Sequence, residues 1–120
     1  MQAKGSGKIL NTASIRGMEY GGREGILAYS AAKAAVINFT KTLAALLGPQ
    51  IQVNSISPGF VYTPNYERTA PELKQQFIAS TLLKKWLDVD DIAQGFEFLA
   101  QADGVTGENL VIDAGWSKKF

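Results

Sequence analysis

Apolar and polar positions follow two rhythms along the chain. Residues 8–14 (KILNTAS), 51–57 (IQVNSIS) and 109–113 (NLVID) are short mixed segments bounded by turn residues. Gly5-Ser6-Gly7 precedes the first, Pro58-Gly59 stops the second and Ala114-Gly115 closes the third. This spacing predicts three strands. Between them lie longer stretches with helical character. Residues 27–47 carry alanine at 28, 31, 32, 34, 35, 44 and 45, a strong helix preference, and Gly48-Pro49 ends that helix. Residues 88–100 predict a second helix, with Asp88 at its N-cap and Asp91 three residues on, as in a capping box. Residues 16–25 hold four glycines and read as a loop, and residues 64–80 mix loop and helix signals. Strands alternating with helices predict an α/β fold with a parallel sheet and right-handed crossovers. No repeat or linker divides the chain, so residues 1–120 are expected to form one domain.

Composition narrows the function. With 46% hydrophobic and 19% charged residues among 120, the chain reads as a globular protein. Net charge is +1, and Lys84-Lys85 and Lys118-Lys119 are too sparse for a nucleic-acid footprint. Cysteine and histidine are absent, which excludes disulfides, zinc sites built on those residues and a Ser-His-Asp triad. Residues 1–7 are polar and glycine-rich, unlike a signal peptide. The most apolar stretch, residues 25–47, is interrupted by Lys33 and Lys41, so no membrane span is expected. A cytoplasmic location is the expectation.

Candidate chemistry begins at Tyr29 and Lys33. Four residues apart on a helix, they share one face, with Cβ atoms about 5–6 Å apart. At ~5.5 Å and an effective dielectric of ~20, a lysine charge favours a phenolate by about 3 kcal/mol. Tyrosine thereby becomes usable for proton transfer at neutral pH. Taken alone, such a pair is far more often a packed tyrosine and a solvated lysine. Its context raises the weight. Asn11-Thr12-Ala13-Ser14 ends a predicted strand, and carboxyl ends of strands are where open α/β sheets bind ligands. A serine there can hydrogen-bond and polarise a substrate oxygen, although by itself it is as readily a turn or capping hydroxyl. The segment NSISPGFVYT, residues 54–63, leaves the second strand through Pro58-Gly59, where glycine lets the backbone approach a flat ligand.

Together, NTAS, YSAAK, NSISPGFVYT, DVDDIA and TGENLVIDAGW resemble, in order and over nearly the whole chain, the short-chain dehydrogenase/reductase family. The resemblance implies part of a Rossmann-type doubly wound parallel sheet and an oxidoreductase moving a hydride between NAD or NADP and a small alcohol or carbonyl substrate. It implies that Tyr29 is the general acid or base and that Ser14 holds the reacting oxygen. Lys33 would favour the phenolate and contact the nicotinamide ribose. Pro58, Gly59 and Val61 would lie along the nicotinamide, with Thr63 at the carboxamide or phosphates. Residues 64–85 would form a mobile substrate loop and helices, where Tyr66, Glu67 and Arg68 could touch substrate but read more readily as surface residues. It also implies a homo-oligomer, dimer or tetramer, in which the Tyr-Lys helix packs against a partner subunit.

One departure is large. The family's glycine-rich phosphate loop, G-x-G-x-x-G after a strand, is not found: Gly5 and Gly7 have the first spacing, but Leu10 stands at the third position and a strand follows rather than precedes. The expectation is therefore a carboxyl-terminal half of the family's fold, without its amino-terminal half. The alternative is a catalytically silent, self-associating fragment.

Overall fold

The computed structural model describes residues 1–118, except for the side chain of Gln2, so Lys119 of the second lysine pair lies outside the described residues. Three strands form one sheet: β1 (Gly7–Thr12), β2 (Ile51–Pro58) and β3 (Asn109–Ile112). The order is β1-β2-β3 and both pairings are parallel, with Ile9 opposite Val53 and Ile56 opposite Leu110. The predicted first strand thus ends two residues early, and Ser14 caps a 3₁₀ turn, Ile15–Gly17, instead of ending β1.

The two long crossovers are α1 (Leu27–Leu47), between β1 and β2, and α3 (Val89–Gln101), which leads to β3. Alternation along the strands separates their footprints, because successive strand residues face opposite sides. Ile51 and Val53 face α1, where they pack with Ala44, Ile9, Leu43 and Leu47. Ile56, Leu110 and Ile112 face α3 at Gly95. A methyl group at Gly95 would collide with the Ile112 side chain and stand 3.2 Å from Ile56 Cδ1, so glycine is what lets α3 lie close to the sheet. A short α2 (Pro71–Ala79) and a 3₁₀ turn (Pro64–Tyr66) occupy the mixed segment after β2.

Buried polar groups tie these layers together. Asn11 Nδ2 donates to Thr40 Oγ1 at 3.0 Å, and Thr40 Oγ1 donates to Val36 O at 2.8 Å, which fixes α1 on β1. Asn54, fully buried, donates to Val105 O at 2.8 Å and accepts from the Glu108 N–H at 3.0 Å. That pair holds the loop entering β3. Asn109 Oδ1 accepts from both Ser55 Oγ and Ser57 Oγ, at 2.8 and 2.9 Å. Among the described residues no helix is long and apolar enough to cross a membrane.

Candidate active site

All three strands run in the same direction, so the loops leaving their carboxyl ends gather at one edge of the sheet. A cleft of about 380 Å³ opens there. The loop after β1 supplies Ser14 and Arg16, and the first turn of α1 supplies Tyr29. The segment after β2 supplies Gly59 and Phe60, and the excursion through α2 supplies Tyr66 and Phe77.

Ser14 is buried, with extended backbone (φ −168°, ψ 152°). Its Oγ accepts the Arg16 N–H at 3.1 Å, which anchors the side chain at the head of the 3₁₀ turn. Among the described residues its own hydroxyl proton has no acceptor, and so it is available to a ligand oxygen in the cleft. Gly17 sets the distance between this turn and α1: a methyl there would run into the backbone of Lys33 and Ala34. The glycine cluster of residues 16–25 was readable as a loop, but its role in seating Ser14 against the Tyr-Lys helix needed the fold. The signal was present in the glycine count and carried no address.

Tyr29 projects from α1 into the same cleft and is 48% exposed. Lys33, one turn along, places its ammonium 5.8 Å from the centre of the Tyr29 ring and donates to Thr12 O at 2.9 Å. The lysine is thereby pinned to the end of β1, beside the phenol. Water around a half-exposed tyrosine raises the effective dielectric from ~20 toward ~80, which cuts their attraction about fourfold. Closure of the cleft over the pair would restore it.

The remaining expected positions separate into two groups. Gly59 lines the cleft, but its close neighbour is protein: a Cβ there would stand 2.6 Å from Asp113 Cα, so this glycine serves the junction of β2 with the end of β3. Its N–H donates to Ile112 O at 2.8 Å. Pro58 is half-buried at the end of β2. Val61 forms a parallel bridge with Leu87, and Thr63 begins the 3₁₀ turn before Tyr66. Pro58, Val61 and Thr63 thus follow Gly59 along one segment but do not line this cleft. Tyr66 does line it, whereas Glu67 and Arg68 are exposed and stand outside it.

An aromatic cluster backs the cleft. Phe60 stacks on Phe77 with ring centres 4.6 Å apart, and Trp86 meets Tyr66 at 5.0 Å and Phe77 at 5.4 Å. Trp86 and Trp116 both pack in this cluster. Arg16 was not foreseen. Its guanidinium lies 5.4 Å from the Phe60 ring centre and 4.9 Å from that of Trp116.

The donor set suits one end of a dinucleotide. A phenol and an ammonium on one helix face, beside a Pro-Gly strand exit, can hold a ribose and a flat ring. The sequence holds no G-x-G-x-x-G run to match a pyrophosphate.

Comparison with known proteins agrees with this architecture. A family model described as enoyl-(acyl carrier protein) reductase matches residues 1–117. Cyclopentanol dehydrogenase of Comamonas sp. is 36% identical over 122 residues, covering 98% of this chain and 48% of that protein. A gluconate 5-dehydrogenase from Burkholderia cenocepacia, solved with NADP and tartrate, superposes with a TM-score of 0.90 at 29% identity, over 98% of this chain and 48% of that one. 4-Hydroxyisoleucine dehydrogenase, solved with NADH, superposes at 0.82 with 38% identity, over 94% and 48% of the two chains. The chain thus spans about half the length of the relatives it matches. A match along nearly the whole chain, with a parallel sheet and a Ser-Tyr cleft at its carboxyl edge, makes this protein a member of the short-chain dehydrogenase/reductase family.

Proposed function

We propose that these 120 residues are the carboxyl-terminal portion of an NAD(P)-dependent oxidoreductase acting on a small alcohol or carbonyl compound. The observation that carries this reading is the convergence of Ser14 and Tyr29 on one cleft, with Lys33 one turn behind the tyrosine. The matched relatives support it, two of them having been solved with NADP or NADH bound.

In alcohol oxidation the substrate hydroxyl sits between two side chains. The Ser14 O–H donates to its oxygen, and Tyr29, as phenolate, accepts its proton. As the carbon–hydrogen bond breaks, negative charge on that oxygen passes into a carbonyl that Ser14 continues to hold. In reduction Tyr29 returns the proton to the developing alkoxide. The Lys33 ammonium stands beside the phenol, and its bond to Thr12 O keeps it oriented. NAD or NADP, when bound, supplies the acceptor or donor of hydride. Tyr29 and Lys33 would hold its ribose, with Pro58, Gly59 and Val61 along the ring and Thr63 at the carboxamide or phosphates. The working form we propose is a homo-oligomer, dimer or tetramer, in the cytoplasm.

The test is nicotinamide absorbance with a panel of small alcohols and both cofactors, on the protein in its natural full-length setting. Tyr29→Phe is expected to abolish turnover and leave the circular dichroism spectrum unchanged. Substantial activity in that variant would overturn the assignment of Tyr29.

A further inference from the structure

The cleft contains two positive charges and no negative one. Arg16 and Arg23 both line it, and no aspartate or glutamate does. Neither arginine has a carboxylate partner among the described residues, where the ion pairs are Lys8–Asp103 and Lys85–Asp91. Arg16 is half-buried, and its one hydrogen bond among the described residues runs from Nη1 to Gly21 O at 3.2 Å. Its plane is held by Phe60 and Trp116 instead. A guanidinium carries five N–H donors in a rigid fork, and only one of these has a protein acceptor among the described residues, in a side chain that lines the cleft. Arg23 stands on the exposed loop opposite, its Nη1 only 3.5 Å from the neighbouring Glu24 carbonyl.

Burying one arginine next to another costs free energy that packing alone does not explain. Burial first, and then repulsion from Arg23, draw the Arg16 guanidinium below its ordinary value, against the opposing pull of Tyr66 and Tyr29. The acids nearest in sequence do not reach the cleft: Glu19 and Glu24 are exposed and do not line it, nor do Glu67 and Glu72. Asp113, under Gly59, spends both oxygens on the N–H groups of Gly115 and Ser117, at 2.8 and 2.7 Å. Two uncompensated arginines beside a reactive phenol are the arrangement that an anionic ligand completes, and a planar carboxylate matches the fork geometry of guanidinium. The remaining wall, Phe60, Leu73 and Phe77, is apolar and would cover a hydrocarbon chain.

We infer that the substrate is a hydroxy or oxo acid, its carboxylate bound by Arg16 and Arg23 while its hydroxyl or carbonyl oxygen meets Ser14 and Tyr29. This rests on the reading of the cleft as the site of hydride transfer. It adds what that reading leaves open, the chemical class of the substrate. Arg16 is two residues from Ser14 on the same 3₁₀ turn. The group that fixes the carboxylate and the group that fixes the reacting oxygen are therefore carried on one rigid piece of backbone.

The experiment compares a series of hydroxy acids, varied in chain length and in the position of the hydroxyl, with their methyl esters, which keep the hydroxyl and lose the charge. Binding is followed by the Trp116 indole resonance, next to Arg16, and turnover by nicotinamide absorbance. At least one acid is expected to bind roughly tenfold or more tightly than its ester, as charge-assisted hydrogen bonds require, and to weaken with added salt. Arg16→Gln and Arg23→Gln should each reduce that preference for the acid. Arg23 is exposed, so its variant stays informative if Arg16→Gln compromises folding. Equal binding of acid and ester throughout the series, or a preference unmoved by both substitutions, overturns the inference. Oxidation of esters as readily as acids would do the same while leaving the hydride-transfer reading intact. Arginine-dependent binding of the acid without turnover of any alcohol would instead retain the anion site and remove the redox reading.

Discussion

Lys33 and Thr40 show how single side chains on α1 set the chemistry of the cleft. Lys33 is shared between Thr12 O and the field at Tyr29. Lys33→Ala is therefore expected to lower kcat and weaken cofactor binding together, in steady-state kinetics with cofactor as the varied ligand. An unchanged cofactor KM would leave it only an electrostatic role. Thr40 is fully buried and satisfies Asn11. Thr40→Val keeps the volume and orphans the Asn11 amide, a loss of about 1–3 kcal/mol in denaturant unfolding. The Tyr-Lys pair was legible in the sequence because its spacing is one helical turn, a property of the sequence itself. Arg16 was not legible: its significance comes from Phe60 and Trp116, which reach it only when the ends of β2 and β3 are side by side. Val61 and Thr63 were named from resemblance alone, and they lie on the segment beyond the cleft rather than in its lining.

At the scale of elements, legibility depended on local signals. The bounds of α1, Leu27–Leu47, are those its alanines and the Gly48-Pro49 stop predict. α3 begins after Asp88 as the capping box requires. Strand ends were less visible, since β1 stops at Thr12 where Ser14 turns to capping, a choice made by the Arg16 N–H rather than by hydrophobic pattern. The start of α3 also carries a pH dependence. The Asp91 carboxylate accepts the Asp88 N–H at 2.9 Å and faces Lys85 at 3.3 Å, and these contacts, the backbone bond first, hold it below the usual carboxylate value. A group depressed in the folded state contributes fully above its ordinary value and loses that contribution as pH falls through its own lower one. Asp91→Ala is thus expected to lower the melting temperature at neutral pH. The gap to the parent protein should close on acidification below about pH 4, where free aspartate itself protonates. A gap independent of pH would show that the loss is not carried by the carboxylate.

Among the described residues the sheet has two unpaired edges, β1 and β3, and one face of α1 lies uncovered. β1 pairs with β2 on one side only, so its outer edge presents unpaired N–H and C=O groups. On α1, Leu27, Ala31, Ala35, Phe39 and Leu46 are exposed at near-helical spacing, with Phe39 at 56% and Leu46 at 74%. Leu43 and Leu47, on the adjoining face, pack against the core as a helix covering a sheet must. The apolar stripe is therefore additional to what the sheet needs, and contiguous exposed apolar surface marks an association face. A second copy of the chain is the occupant at hand, since a stripe on one helix can meet its own equivalent about a twofold axis. Without a phosphate-binding glycine loop, the 120 residues alone are expected to bind NAD or NADP very weakly, and micromolar affinity in calorimetry would contradict this. Their association should not depend on cofactor. Light scattering at low micromolar concentration is expected to reveal a dimer or larger species. Phe39→Glu together with Leu46→Lys should shift it toward monomer, because both substitutions place charge on the stripe and neither touches the core. A monodisperse parent chain that melts cooperatively as a monomer would mean that this face is stable in water, and that the helix carries its apolar stripe for some purpose other than self-association.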